Sequence, residues 1–146
     1  MTASYSGTPL GKKLGYTADL RVFIGEMPDA IRHEIERSIG AKPEWIRIPE
    51  PGIRAAHLFV VRRDALESKI GALLPLLDPA GMIWVSWPKK ASKVATDITE
   101  DSIREICLPM GLVDVKVCAV DDTWSGLKLV VRRQNRDVHP QAGRPA

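Results

Sequence analysis

Residues 55–61 read AAHLFVV, and these seven consecutive positions hold no Asp, Glu, Lys or Arg. A strand with one wet face alternates apolar and polar residues, whereas a strand of a parallel sheet is covered on both faces and reads as a near-continuous apolar run. Residues 82–87, MIWVSW, form a second such run. Both stretches therefore predict buried strands of a largely parallel sheet.

Helical patterns separate the apolar runs. The isoleucines of residues 28–40 recur at every fourth position between a proline and a glycine, which predicts an amphipathic helix with ordinary start and stop residues. Residues 64–77 and 97–111 repeat this pattern, with Asp64 and Glu67 expected as a capping pair for the first of them. A short strand at 21–27 precedes the first of these helices, and a short strand at 45–48 follows it. Strands and helices therefore alternate along the chain, which predicts an α/β fold with helices on both faces of the sheet.

The last predicted elements are two strands with no helix between them. Two apolar segments, 112–120 and 127–133, are separated only by Asp-Asp-Thr-Trp-Ser-Gly, residues 121–126. That connection is too short for a crossover helix, so the pair must form an antiparallel hairpin. Residues 78–81, Asp-Pro-Ala-Gly, are predicted to be a turn before the strand at 82–87.

The length of 146 residues predicts one α/β domain at 21–133, a leader segment at 1–20 and a flexible tail at 134–146. The formal net charge of +3 is too mild for a dedicated nucleic-acid binder. No signal peptide and no long apolar stretch is present, which predicts a cytoplasmic protein without a membrane partner. Cys107 and Cys118 have no neighbouring histidine, so we expect buried thiols and no metal.

The element order resembles the later part of class I methyltransferases that use S-adenosylmethionine. The residues that carry this resemblance are LLPLLDPAGMIWVSW at 73–87, similar to a helix, turn and strand of that family, and GLVDVKVCAVDDTWSGLKLVVRR at 111–133, similar to its closing hairpin. The resemblance implies a truncated Rossmann-like, methyltransferase-like mixed sheet with helices on both faces and a C-terminal antiparallel hairpin.

A second resemblance covers nearly the whole chain. The strings YSGTPLGKKLG at 5–15 and WVSWPKKASKVATDITED at 84–101, together with the hairpin sequence, resemble a family of small bacterial proteins catalogued as a domain of unknown function. This resemblance implies membership of that family and assigns no activity.

The sequence departs from the methyltransferase pattern at the place where that family binds its cofactor. A glycine-rich loop is needed after the first strand so that the backbone can approach the ligand. Here only Gly25 is present, and Met27 and Pro28 follow at once. Glu50 is the one candidate for the acid that would hold the ribose, and a solvated loop carboxylate is the alternative interpretation. We therefore expect no S-adenosylmethionine, and the cofactor stays unknown.

The loop after the strand at 82–87 is the first candidate ligand site. Ligands of open α/β sheets bind beyond the carboxyl ends of the strands, and lysines, hydroxyls and a helix start at 97–99 suit a phosphate or another anion. The alternative is a solvated basic loop capped by acids of the next helix. The candidate residues are Ser86, Trp87, Lys89, Lys90, Ser92, Lys93 and Thr96.

The hairpin turn is the second candidate site, through Asp121, Asp122 and Trp124. Two adjacent carboxylates suit a metal or acid–base chemistry. No histidine is nearby, so ordinary turn chemistry is the alternative that we favour. Trp84 and Trp87 allow two interpretations. They line one pocket together with Trp124, or they are part of the apolar core.

No catalytic residue is predicted, because the chain holds no nucleophile elbow, zinc-protease motif or phosphate-binding loop. The sequence favours a non-catalytic binding or regulatory module for an anionic ligand or a protein partner. The alternative is an S-adenosylmethionine- or nucleotide-dependent enzyme with an atypical pocket. A third hypothesis is nucleic-acid binding through the lysine loop and other cations, namely Lys12, Lys13, Arg132, Arg133 and Arg136.

Overall fold

A computed structural model describes residues 7–142 of the protein. Within that range, six strands form one sheet and four α-helices cover it. The helices are α1 (Leu10–Leu14), α2 (Asp29–Ile39), α3 (Arg63–Leu73) and α4 (Glu100–Cys107). The strands are β1 (Arg21–Gly25), β2 (Glu44–Ile46), β3 (Ile53–Phe59), β4 (Leu77–Pro88), β5 (Leu112–Ala119) and β6 (Trp124–Val131). No helix in this range is long and apolar enough to span a membrane.

The spatial order of the strands is β2-β1-β3-β4-β6-β5. The first four are parallel, and β6 lies antiparallel between β4 and β5. The predicted α/β sheet with a closing antiparallel hairpin is therefore confirmed. From β1 the chain goes out to β2 and then returns to pair β3 with the opposite side of β1. This reversal creates a topological switch point between the carboxyl ends of β1 and β3, the usual place for a ligand in such sheets.

Two apolar layers lie on opposite faces of the sheet, as the continuous apolar strands require. Alternate residues of β3 and β4 point to opposite faces. Trp84 and Phe59 pack with the residues of α1 and α2. Leu58 and Val85 pack with the residues of α3 and α4. Both layers are therefore built on the same central strands.

The leader segment contributes to the core from residue 10 onward. Leu10, Leu14 and Tyr16 are buried in the layer between α2 and the sheet. The indole Nε1 of Trp84 donates a hydrogen bond of 2.9 Å to the carbonyl of Leu14. The expected boundary at residue 20 thus leaves core residues outside the domain. Residues 1–6 lie outside the described range.

The segment after β6 also lies against the domain, where a flexible tail was expected. Arg133–Val138 forms a short 3-10 helix, and His139 is buried. The side-chain amide of Gln141 donates to the carbonyl of Pro75 at 3.0 Å. Residues 134–142 therefore cover the edge of the sheet where β4 begins. The last four residues lie outside the described range.

The turn expected at residues 78–81 lies inside β4. The pairing of β3 with β4 jumps from Ile53 opposite Leu77 to Ala55 opposite Met82, so the extra residues of β4 form an irregular bulge. At Gly81 an added Cβ would lie 2.9 Å from the carbonyl oxygen of Ile53. Only glycine allows this approach, and the strand therefore continues through a sequence that is typical of a turn.

Candidate binding site at the carboxyl edge of the sheet

Two of the predicted site segments are neighbours in the structure. We define the lysine loop as residues 89–96, which follow β4, and the aspartate turn as residues 121–124, which lead from β5 into the first residue of β6. Pro88 pairs with Trp124 in the sheet, and the amide of Lys89 donates to the carbonyl of Thr123 at 2.7 Å. The two segments therefore form one surface at the carboxyl edge of the parallel strands.

The lysine loop is held by its own hydroxyl groups. Ser92 Oγ donates to the carbonyl of Lys89 at 2.7 Å, and Thr96 Oγ1 donates to the carbonyl of Val61 at 2.7 Å. Both hydroxyl protons are thus used to fix the backbone of the loop. Lys90 and Lys93 are exposed, so their ammonium groups are the donors that this loop presents to solvent.

Ser86 and Trp87 lie inside the domain. Ser86 is 0% exposed, and its Oγ lies 2.7 Å from His57 Nε2. Trp87 is 7% exposed and belongs to the apolar layer of α3 and α4. Because β4 is covered on both faces, neighbouring residues near its end are both buried. These two residues are therefore not part of the surface that a ligand meets.

The helix starts beside the lysine loop are already capped. The Thr99 hydroxyl accepts from Ser102 N at 3.1 Å, and Ser102 Oγ accepts from Thr99 N at 2.7 Å, a reciprocal capping box for α4. Asp97 Oδ1 accepts from Arg63 N at 2.7 Å and thereby caps α3, 34 residues earlier. The expected capping pair of Asp64 and Glu67 is wrong, because α3 begins at Arg63. An anion at this surface would meet side-chain cations rather than these backbone donors.

The aspartate turn has the chemistry of a hairpin connection. Asp121 Oδ1 accepts hydrogen bonds from Thr123 N at 2.9 Å and Trp124 N at 2.8 Å. The Trp124 ring meets the Phe59 ring edge to face, with centroids 5.0 Å apart. No group of His, Cys, Asp or Glu residues within 7–142 has the spacing of a metal site.

A cavity of about 520 Å³ opens beside the aspartate turn, between α1 and α2. Leu10, Ile31 and Val120 supply apolar wall, and Asp121 and Asp122 line it from the turn. Its charged groups also include Lys13, whose Nζ donates to the carbonyl of Ala119 at 3.1 Å, and the ion pair of Glu34 with Arg37. Sequence reasoning missed this cavity, because three distant segments build it and none of them carries a motif.

The switch point between β1 and β3 is filled by side chains. Met27 is 6% exposed and packs in the same apolar layer as Phe59, and Trp124 covers Phe59 from the turn. Glu26 stands between Gly25 and Met27 with a φ of 63°, a left-handed conformation that favours glycine. The chain therefore makes the sharp turn after β1 without the bare backbone that lets a ligand approach.

Glu50 lies at the opposite edge of the sheet. Its Oε1 is 2.6 Å from Arg21 Nη1, and Arg21 is the first residue of β1. From Arg21 to Gly25 a strand rises about 13 Å. The six-residue connection from β2 to β3 returns to the start of β3, and this carries Glu50 away from the carboxyl edge. Glu50 cannot hold a ribose at the switch point.

A polar network lies in the centre of the sheet and is closed to solvent. His57 is 0% exposed, with Nε2 next to Ser86 and Nδ1 3.1 Å from the Tyr16 hydroxyl. Burial lowers the pKa of His57 to about 3 and raises the pKa of Tyr16. The imidazole is therefore neutral near pH 7, and no substrate can reach it, so this network is structural.

Neither cysteine has the environment of a nucleophile. Burial raises the pKa of the Cys107 thiol to about 12 and also raises that of Cys118. A reactive cysteine needs a lowered pKa and access to solvent.

No protein-family model and no curated protein matches the chain. Solved structures do match it. A ribosomal protein methylase from Lactobacillus delbrueckii subsp. bulgaricus aligns over 85% of this chain and 76% of its own, with a TM-score of 0.53 and 11% identity. The mitomycin 7-O-methyltransferase MmcR aligns over 85% and 53%, with a TM-score of 0.56 and 10% identity.

The protein has a methyltransferase-like Rossmann fold. An S-adenosylmethionine-dependent methyltransferase from Clostridium acetobutylicum aligns over 83% of this chain and 87% of its own, with a TM-score of 0.53 and 9% identity. Identities this low establish the fold alone. The chain spans only about half of MmcR, and membership of the small bacterial family stays a prediction.

Proposed function

We propose that this protein is a non-catalytic binding module on a methyltransferase-like scaffold, and that it binds an anionic group at the surface formed by the lysine loop and the aspartate turn. The observation that carries the proposal is the filled switch point. Met27 and Phe59 are buried where the cofactor cleft of such a sheet would open.

The position of the acid supports the same proposal. A dinucleotide or adenosyl ligand at this kind of sheet needs a carboxylate near the carboxyl edge to hold its ribose. Glu50, the one candidate from the sequence, pairs with Arg21 at the opposite edge. Two separate features that a cofactor requires are thus altered in this chain.

The acids beside the lysine loop are used elsewhere, which favours an anionic partner. Glu100 pairs with Arg104, and Asp101 lies 3.1 Å from the same guanidinium. Arg104 therefore balances part of their negative charge, and Lys90 and Lys93 can act on a phosphate or carboxylate that approaches from solvent. A ligand held in this way loses affinity as salt increases, because exposed charges are screened.

The basic residues of the nucleic-acid hypothesis do not gather on one surface. Arg132, Arg133 and Arg136 follow the end of β6, at the edge where the parallel strands begin. The lysine loop follows the carboxyl end of β4. A backbone contact along nucleic acid needs a continuous basic stripe, so this arrangement favours a compact anionic ligand or a small acidic patch on a protein.

Amide chemical shifts during a titration with pyrophosphate test the proposed surface. We expect changes at residues 90–96 and 121–124 that saturate, and a loss of at least tenfold in affinity when Lys90 and Lys93 are both replaced by Gln. The matched control replaces Lys12 and Lys42, which are exposed lysines elsewhere. Equal loss in both variants, or shifts spread over the whole surface, would contradict a specific site.

Calorimetry with S-adenosylmethionine and its demethylated product tests the non-catalytic part. We expect no heat of binding at millimolar ligand. A saturable heat of binding, with amide shifts at Gly25 and Glu26 when the same ligand is titrated in the NMR experiment, would overturn the proposal and support the alternative, an enzyme with an atypical pocket.

A further inference from the structure

Four exposed residues at the carboxyl edge form what we call the valine–lysine patch, namely Val61, Lys90, Lys93 and Val94. Val61 follows β3, and the other three belong to the lysine loop. Thr96 Oγ1 donates to the carbonyl of Val61 at 2.7 Å, and Val94 precedes Thr96 by two residues, so the Cα atoms of Val94 and Thr96 lie within about 7 Å. Lys93 N donates to the carbonyl of Lys90 at 3.2 Å. Two valines and two lysines therefore share one part of the surface.

The two valines leave apolar surface in contact with water. Val61 is 37% exposed, and Val94 is 45% exposed. Covering such surface is favourable in proportion to the apolar area that leaves water. A free phosphate or pyrophosphate cannot provide this gain, because these anions carry no apolar group. The valines therefore favour a ligand that has an apolar part.

The two lysine side chains are not used by the fold. Within residues 7–142, neither Lys90 nor Lys93 forms a side-chain hydrogen bond or ion pair. Lys93 has a φ of 62°, a left-handed conformation in which glycine is less strained. Its side chain makes no polar contact in this range that would offset the strain. Strained residues of this kind cluster at functional sites, so Lys93 points to a role outside the fold.

A small free anion finds few fixed donors beside the patch. The backbone donors at the nearby helix starts are used for caps, since Asp97 accepts from Arg63 N and Thr99 accepts from Ser102 N. The remaining donors are flexible ammonium groups, and ion pairs at exposed positions each add little affinity. Contact with the valines is therefore the interaction that would add both affinity and selectivity.

We propose that the valine–lysine patch binds an acidic segment of a partner protein, in which an apolar side chain lies between carboxylates. The carboxylates pair with Lys90 and Lys93, and the apolar side chain covers Val61 and Val94. The aspartate turn contacts the other end of the loop, at Lys89, so its acids lie on the β6 side of β4 and the patch reaches the β3 side. This inference rests on the proposed function, because it names the partner of the same anionic surface.

Two peptides of equal charge test the apolar part of the proposal. Acetylated and amidated EELEE has a leucine between pairs of glutamates, and EESEE has a serine in its place. Binding is measured from the amide shifts of residues 90–96, with pyrophosphate as the free anion. We expect EELEE to bind at least about fivefold more tightly than EESEE, and more tightly than pyrophosphate, because only its leucine can cover the valines. Added salt should weaken both peptides equally and leave their ratio unchanged, since apolar contact is not screened.

Two double variants separate the valines from the lysines. Replacing Val61 and Val94 by Ser removes their methyl groups, so the preference for EELEE should fall below about twofold while EESEE binds as before. Replacing Lys90 and Lys93 by Gln should weaken both peptides by about tenfold or more. Val115→Ser, at an exposed valine of β5, is the matched control and should keep the full preference.

The outcomes distinguish this inference from the proposed function. Equal binding of the two peptides by the wild type, or a preference for EELEE that survives the loss of both valines, would overturn the acidic segment alone. Tighter binding of pyrophosphate than of EELEE would also overturn it and would assign the surface to a free phosphate compound. The absence of saturable shifts at residues 90–96 with all three probes would overturn the proposed function as well.

Discussion

Removing the Tyr16 hydroxyl is the sharpest test of the buried network. In Tyr16→Phe the ring and its packing stay, and His57 Nδ1 loses its only partner among the described residues, at 3.1 Å. A buried polar group left without a partner costs roughly 1–3 kcal/mol. We expect a loss of about 2 kcal/mol, because His57 and Tyr16 are both almost fully buried.

The measurement is urea unfolding followed by circular dichroism, with thermal unfolding beside it. For a chain of this length a loss of about 2 kcal/mol lowers the midpoint by roughly 4–8 °C. The slope of the urea transition should not change, since the same surface is exposed on unfolding. Hydrogen exchange should show faster opening at residues 10–16, because Tyr16 ties the leader to the sheet.

A fully apolar version supplies the control. Replacing Tyr16 by Phe, His57 by Leu and Ser86 by Ala removes every polar atom of the network at once. Exchanging both partners of a buried hydrogen bond for apolar groups is nearly neutral, so the triple variant should be more stable than Tyr16→Phe alone. If Tyr16→Phe changed the stability by less than about 0.5 kcal/mol, or if the triple variant lost the sum of the three effects, the reasoning would be refuted.

Three further predictions concern single groups. Burial lowers the pKa of His57 from 6.5 to about 3, so in that window the unfolded chain binds a proton that the folded chain does not. Stability should therefore fall as the pH decreases from 6.5, by at most about 1.4 kcal/mol per pH unit, and urea unfolding of wild type and His57→Leu at several pH values measures this contribution. In the native protein a thiol reagent should modify Cys118 and spare Cys107, which is completely buried with a pKa raised to about 12, and denaturation should expose both. Glu26→Gly should stabilise the fold by about 0.5–1 kcal/mol, because it removes the left-handed strain at the cost of some chain entropy, and chemical denaturation shows the sign.

The fold was predictable where one local pattern has one physical meaning. Ile31 and Ile35 lie on the buried face of α2, and the αL glycine at residue 40 ends that helix, because amphipathic spacing and glycine act within a few residues. The antiparallel hairpin followed from the length of its connection. The bulge at 78–81 was not predictable in the same way, since the need for glycine at residue 81 depends partly on the carbonyl of Ile53 on the neighbouring strand.

The site was less predictable, because it depends on contacts between distant segments. The lysine loop and the aspartate turn could be singled out by composition, but their adjacency follows from the pairing of β4 with β6. The sequence could not show whether Trp87 is buried or lies in a ligand site. An apolar residue at the end of a strand that is covered on both faces has the same sequence pattern as an apolar residue in an exposed site.

The chain length between β2 and β3 links the fold to the proposed loss of a cofactor cleft. Six residues suffice only to return from the short strand β2 to the start of β3, so any acid in that connection is drawn to the amino edge, as the pair of Glu50 with Arg21 shows. A glycine-rich turn after β1 would therefore not be enough to bind an adenosyl ligand, because no acid lies at the carboxyl end of β2 to hold its ribose. Met27 instead adds apolar packing at the switch point. Opening that turn by Met27→Gly would therefore remove packing without restoring the second half of the site. The lysine loop follows β4 and the aspartate turn lies between β5 and β6, and their direct contact is why we place ligand recognition on the hairpin side of the sheet.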